Sequence, residues 1–213
     1  MYLHTCSRGT DQALPMLEGM SLQHALLGVL EARPMNGYEL TRFFEAAPRW
    51  VWSAPQSQIY PTLRQMEQAG LIEGQKEIRG TRLRRTVYSI TERGLAELRA
   101  WLGTAHTPPP ARDAFFLQAL FFDMIEPDRA ASVLKAFIAE QEQLAAEWRA
   151  HREALLAKDT PLLKERLKNR PAGEHDRIAA LKAHVFAGQI AVATARAAWA
   201  RESLRLLEEP TPP

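Results

Sequence analysis

Residues 56–72 read Gln-Ser-Gln-Ile-Tyr-Pro-Thr-Leu-Arg-Gln-Met-Glu-Gln-Ala-Gly-Leu-Ile. Ile59, Leu63 and Met66 recur at the four- and three-residue spacing of one helix face, and Gly70 stops the helix. Its front end carries Gln56, Ser57, Gln58 and Tyr60, with Pro61 expected near the first turn, where a missing N–H costs least. Apolar side chains on one face and amides and hydroxyls at the tip describe a helix anchored along its length and offering its end to a partner.

The neighbouring segments say what that partner is. Beyond Gly70 the period switches to two. Leu71–Ile78 and Arg84–Ile90 read as strands around Arg79-Gly80-Thr81-Arg82-Leu83, which makes a hairpin. Upstream, Ser21 is placed to cap a helix with Leu22, Ala25, Leu26, Val29 and Leu30 apolar. Arg33-Pro34-Met35-Asn36-Gly37 breaks it, and a second helix runs from about Tyr38 to Ala46. Pro48 and Pro55 bracket a connector containing Trp50 and Trp52. After the hairpin, Thr91-Glu92-Arg93 opens a fourth helix through Leu95, Leu98 and Leu102. Three helices followed by a two-stranded hairpin is the winged helix-turn-helix order, in which the third helix enters a DNA major groove and the hairpin lies beside it.

The chain has 213 residues, 46% of them hydrophobic and 24% charged, which suits one large or two small globular domains. Residues 1–19 lack periodicity and a signal-peptide pattern and read as a flexible extension. Residues 20–102 form the winged domain. Gly103–Pro110 (GTAHTPPP) is the linker. Residues 111–208 are helical, and 209–213 are a tail. Within the helical part, Phe137, Gln141, Leu144, Trp148, His151 and Leu155 alternate by four and three. Leu181, Val185, Gly188, Val192, Ala195 and Trp199 do the same. Each set is expected to be a seam for another helix. No apolar run approaches the ~18 residues of a membrane span. The single cysteine, Cys6, rules out an intrachain disulfide and fits a reducing cytoplasm.

Net charge is only +2. Its distribution is uneven. Residues 21–102 hold 11 Lys and Arg against 8 Asp and Glu, whereas 103–213 hold 15 against 15. Residues 76–85 hold Lys76, Arg79, Arg82, Arg84 and Arg85 against Glu77 alone. Positive charge concentrated on the hairpin is the footprint of phosphate contacts.

Ser21–Leu30 (SLQHALLGVL), Asn36–Leu40 (NGYEL), Ser57–Ile72 and Arg84–Gly94 (RRTVYSITERG) together resemble the N-terminal domain of PadR-type transcriptional regulators. The shared pattern is a Gly-Tyr-Glu-Leu entry to helix two, an Ile-Tyr-Pro start and a Gly-Leu-Ile exit of helix three, and a wing ending in Tyr-x-Ile-Thr. The helical remainder resembles, more loosely, the C-terminal domain of the long PadR subfamily. The resemblance implies a mainly α protein: a winged helix-turn-helix with a two-stranded wing, then an all-helical dimerisation domain. It also implies a cytoplasmic homodimer on a double-stranded DNA operator, usually a repressor, often relieved by a small aromatic or drug-like ligand.

Gln56, Ser57, Gln58, Tyr60 and Arg64 are the candidate DNA contacts of helix three, with Arg79, Arg82, Arg84 and Arg85 on the wing. Gln can pair with adenine edges, and Ser or Tyr can reach a base or a phosphate. The competing uses are capping for Ser57 and solvation for the others. Alternation puts Arg84 and Arg85 on opposite faces, so only one of the two can point at a given groove. Trp50, Trp52, Phe116 and Trp148 are candidate ligand contacts, though core and dimer packing is the commoner use of such side chains. The six histidines show no metal-ligand spacing, and P-loop, G-x-G-x-x-G, G-x-S-x-G and H-E-x-x-H motifs are absent. No enzyme and no cofactor are therefore expected. The alternative function is a helical small-molecule-binding protein whose winged helix makes protein contacts.

Overall fold

The computed structural model describes residues 13–46, 56–79, 83–107 and 113–208. The chain divides into two compact units, Met1–His106 and Thr107–Pro213.

The first unit contains α1 (Ala13–Leu30), β1 (Met35–Asn36), α2 (Gly37–Ala46), α3 (Gln56–Gln68), β2 (Ile72–Arg79), β3 (Leu83–Ile90) and α4 (Glu92–Leu102). Leu26, Leu27, Leu30, Leu40, Ile59, Leu63, Met66 and Ile72 are fully buried and form its centre. Each such aliphatic chain stabilises the fold by about 1.5–3 kcal/mol relative to exposure.

One start differs from expectation. α1 begins at Ala13, so Ser21 lies inside the helix and not at its N-cap position, and 13–19 belong to a helix, not to an irregular extension. Ala, Leu, Met and Glu in this stretch are good helix formers, and Pro15 falls in the first turn, where its missing N–H is harmless. Residues 1–12 lie outside the described residues.

The wing hairpin gains a third strand. β1 pairs antiparallel with β3, Met35 opposite Tyr88 and Asn36 opposite Val87, giving the order β1-β3-β2. Asn36 has a second task. Its Oδ1 accepts from the Glu39 amide at 2.9 Å while Glu39 Oε2 accepts from the Asn36 amide at 2.9 Å. This reciprocal capping box starts α2.

α4 is held by Thr91, whose hydroxyl accepts from the Gly94 amide at 3.0 Å. A Cβ on Gly94 would press into the Leu71 carbonyl oxygen and lie 3.0 Å from Ile90 Cγ1. The helix can start so close to the sheet only because residue 94 has no side chain. His24 of α1 is buried, stacks on Trp101 of α4 with 4.6 Å between ring centres, and lies 3.3 Å from Glu97.

The second unit holds α5 (Ala114–Ala119), a 3-10 turn at Phe122–Met124, α6 (Pro127–Leu156), α7 (Pro161–Lys168) and α8 (His175–Glu208). Leu134 clusters with Ala200, His151 meets Phe186, and Lys158 pairs with Asp176, so α6 and α8 run antiparallel along most of their length. On α6 the expected seam is largely the buried one: Phe137, Gln141, Trp148 and Leu155 are inside, with Leu144 and His151 half-buried.

On α8 the expected seam faces outward instead. Leu181, Val185 and Val192 are more than half exposed, Trp199 is exposed, and the buried residues are Ala179, Ala183, Phe186, Ala193, Ala197 and Ala200. Alanines let α8 approach the large chains of α6 closely, so the small-residue face packs inside. α8 also contains an 18-residue window apolar enough, by length and composition only, to cross a membrane, with mean hydropathy 1.4. Only 22% of that window is buried within the structure.

Gly94→Ala should destabilise the first unit by about 2 kcal/mol or more, because backbone and not a movable side chain blocks the added methyl. Calorimetry of the full chain should show that unit's transition lowered by roughly 10 °C. An unchanged transition would mean that α4 can shift at no cost.

Candidate nucleic-acid interface

α3 buries Ile59, Leu63 and Met66 completely. The opposite stripe is Ser57, Pro61, Arg64 and Gln68, all exposed, flanked on one side by exposed Gln58 and Gln65. The helix begins at Gln56, so Ser57 is an interior residue of the first turn and not its cap, and Pro61 sits in the second turn. Pro61 therefore deprives the Ser57 carbonyl of its helical donor. That carbonyl and the first-turn N–H groups are left at the exposed tip. The Thr62 hydroxyl donates to the Gln58 carbonyl at 2.8 Å.

The remaining flank of α3, Tyr60 and Glu67, is structural. The Tyr60 ring lies against Gly37: a Cβ there would sit 2.6 Å from Tyr60 Cε1 and 3.2 Å from its hydroxyl. The glycine of Asn36–Leu40 thus allows the start of α3 to rest on the start of α2. At the other end, Glu67 Oε1 accepts from the Gly74 amide of β2 at 3.1 Å. β2 is an edge strand, and Glu67 fills one of its outward donors. Gly74 leaves room for this, since a Cβ there would strike the Glu67 carboxylate and lie 2.8 Å from Thr86 Cγ2. Tyr88, beside Gly74 in the register, has its phenol pKa raised by burial first, then by the nearby Glu67 carboxylate and Tyr60, with Arg64 acting in the opposite sense.

β2 and β3 are in register from Ile72–Ile90 to Arg79–Leu83. Alternation sends Ile72, Gly74, Lys76 and Ile78, with Arg84, Thr86, Tyr88 and Ile90, to the face on which α3 packs. Glu77 and Arg85 share the other face and are joined by two hydrogen bonds, Nη2 at 2.7 Å and Nε at 3.0 Å from Glu77 Oε2. Arg85 is therefore engaged by a cross-strand carboxylate, whereas Arg84 occupies a position on the α3 side.

Of the expected DNA contacts, Ser57, Gln58 and Arg64 are exposed on α3, and Gln56 is its first residue. Tyr60 is half-buried against α2. Arg79 and Arg84 stand at wing positions on opposite faces, and Arg82 lies outside the described residues. Lys76, already counted in the basic run of the hairpin, is exposed, and Gln65 and Gln68, which the sequence reading did not single out, are exposed on α3; Glu67, which bonds the Gly74 amide, was not singled out either. Helical and strand periodicity carried the first three; nothing local marked Glu67.

Of the expected ligand contacts, the two that lie among the described residues, Phe116 and Trp148, are not brought together. Trp50 and Trp52 lie outside the described residues. Phe116 is exposed, tilted against Trp199 at 4.6 Å, with the Arg196 guanidinium 5.3 Å from its ring centre. Trp148 is buried in α6. Phe137, which stacks on Phe115 at 3.6 Å, is eleven residues before it, about 16 Å along the helix.

A family model described as the transcriptional regulator PadR-like family matches residues 26–100. The negative transcriptional regulator PadR of Bacillus subtilis is 32% identical over 143 residues, 66% of this chain and 78% of that protein. The chain belongs to the PadR-like family. Among solved structures, Bacillus subtilis PadR in complex with operator DNA is similar with a TM-score of 0.67 and 25% identity, covering 87% of this chain and 98% of that one. The same regulator in complex with p-coumaric acid has a TM-score of 0.65 at 23% identity, covering 90% and 98%. As a PadR-like regulator, the protein is a mainly helical winged-helix transcription factor with long C-terminal helices.

Glu67→Ala should cost about 1 kcal/mol by freeing the Gly74 amide, lowering the first unit's calorimetric transition by roughly 5 °C. Gln65→Ala, on the outward side, should leave it unchanged. Equal shifts would remove the distinction between an orienting and an outward flank.

Proposed function

We propose that the protein is a cytoplasmic, non-enzymatic repressor that binds a two-fold DNA operator as a homodimer. The observation that carries this reading is the outward stripe of α3, with Ser57, Gln58, Arg64, Gln65 and Gln68 held beside a basic hairpin on a buried apolar frame. Side chains at the tip and along the stripe read base edges, and Gln56 belongs with them at the first turn. Lys76, Arg84, Arg79 at the end of β2, and Arg82 grip phosphates. Arg85, engaged by Glu77, contributes less, and Tyr60 acts through its hydroxyl if it reaches the DNA at all.

One winged unit covers one half-site, so a second copy completes the operator. The exposed α8 stripe of Leu181, Val185, Val192 and Trp199 supplies the surface for it. Its 4-3 spacing is that of a helix seam. The relative solved with p-coumaric acid supports release by a small aromatic ligand. Of the aromatic set Trp50, Trp52, Phe116 and Trp148, Phe116 is accessible and Trp148 buried among the described residues.

The test is retention of genomic fragments by the full chain, with affinity titrated against salt. A regulator of this kind loses affinity linearly in log salt, about 0.9 units per phosphate contact. Sedimentation should give a dimer, and Val185→Asp should shift it towards monomer and weaken operator binding by tenfold or more. A salt-insensitive interaction would favour a protein-contact module, and a monomer at micromolar concentration would overturn the two-fold reading.

A further inference from the structure

Arg64 is the one cation of α3, and its place on the helix is particular. Four residues after Tyr60 and three before Glu67, it stands between the flank that packs on the sheet and the outward stripe. Among the described residues it makes no hydrogen bond and no ion pair. Arg85 of the wing, by contrast, is taken up by Glu77. The planar fork of Arg64 therefore keeps its donors for a partner.

The crease beside Arg64 is built from three groups. Glu67 Oε1 and the Tyr88 ring converge on the space over Gly74, where a Cβ would strike the first and lie 3.2 Å from Cε1 of the second. Tyr60 closes the end nearest α2, where its ring rests on Gly37. The Tyr88 phenol, raised first by burial and then by Glu67, feels the Arg64 charge in the opposite sense, which brings the guanidinium within electrostatic reach of that phenol.

The crease also selects what Arg64 can meet. A phosphate approaching on this side faces the Glu67 carboxylate, whose charge no ion pair among the described residues neutralises. A base edge is uncharged and meets no such repulsion. Guanine offers two acceptors, O6 and N7, at the spacing of the Arg fork, and this pairing is the commonest specific contact in the major groove.

We propose that Arg64 is the specificity-determining side chain of the winged unit, reading guanine at O6 and N7, and that Glu67 and Tyr88 are the positioning residues that aim it. The proposal rests on the regulator reading above. It assigns each half-site a G·C pair under the middle of α3.

The test begins with selection of a randomised duplex pool by the full-length protein. The enriched duplex is then titrated with its guanines replaced one at a time by 7-deazaguanine, which pairs normally but lacks the N7 acceptor. The unsubstituted chain should lose roughly tenfold in affinity at one guanine per half-site. Arg64→Ala should bind the unmodified duplex roughly 10- to 100-fold more weakly and be indifferent to replacement of that guanine. Tyr88→Phe keeps the ring, and Glu67→Gln keeps an acceptor for the Gly74 amide. Both should shrink the loss at that guanine and leave the losses at other guanines in place. Glu67→Gln should also tighten binding to a scrambled duplex, because a charge that repels phosphate is gone. A 7-deazaguanine profile unchanged in Arg64→Ala overturns the assignment. So does an Arg64→Ala chain that only flattens the salt slope by about one on every duplex, the mark of a phosphate contact. If Tyr88→Phe and Glu67→Gln weaken all duplexes evenly, their role is structural and the positioning claim falls. Failure to enrich any sequence removes the regulator reading itself, whereas enrichment without an Arg64-dependent guanine removes this inference alone.

Discussion

The hydrogen bond from the Gly74 amide to the Glu67 carboxylate joins the outward-reading helix to the hairpin beside it. Burial of Ile59, Leu63 and Met66 fixes which face of α3 points inward, but apolar contact alone permits sliding and rotation. Glu67 restricts both by bonding one defined donor on the outer edge of β2. Tyr60 on Gly37 restricts the opposite end of the helix. With both ends held, the stripe from Ser57 to Gln68 has one orientation relative to Lys76 and Thr86. A backbone held in this way lowers the entropic cost of association for any partner that docks on the stripe.

The second unit solves a different problem. α8 is apolar on two sides and can bury only one of them against α6. The side it buries is alanine-rich, so the larger residues Leu181, Val185, Val192 and Trp199 are left exposed. The same economy of side-chain volume opens a cavity beside Ala145, Ala193 and Ala197.

Much of the first unit was legible because its elements are long enough to show a period. α3 and the hairpin declared themselves by the switch from three-four to two, and Gly70 marked the boundary between them. β1 was not legible, since two residues carry no period and its pairing depends on Tyr88 and Val87 fifty residues away. The start of α1 was misplaced because Ser21 is a good cap in isolation, while the helix-forming stretch before it sets the actual start at Ala13. On α8 the two candidate faces share the same spacing, and larger side chains drew the expectation to the one that lies outside. Periodicity identifies a seam but does not say whether it is filled within the chain or by another copy. The candidate site was legible to the level of element, the tip of α3 and the wing, and remains a proposal in its residues. Which arginine is occupied by Glu77, and which glutamate aims the helix, required the register.

The division of labour proposed for the winged unit is that α3 reads sequence while the wing holds phosphate. It is tested most directly by titrating Gln58→Ala and Lys76→Ala on operator and scrambled DNA at several salt concentrations. Gln58→Ala should cost about 1–3 kcal/mol on operator and little on scrambled DNA. Lys76→Ala should weaken both alike and flatten the log affinity versus log salt slope by about one. If Gln58→Ala lowers both affinities equally and Lys76→Ala leaves the slope unchanged, neither element has the role assigned to it.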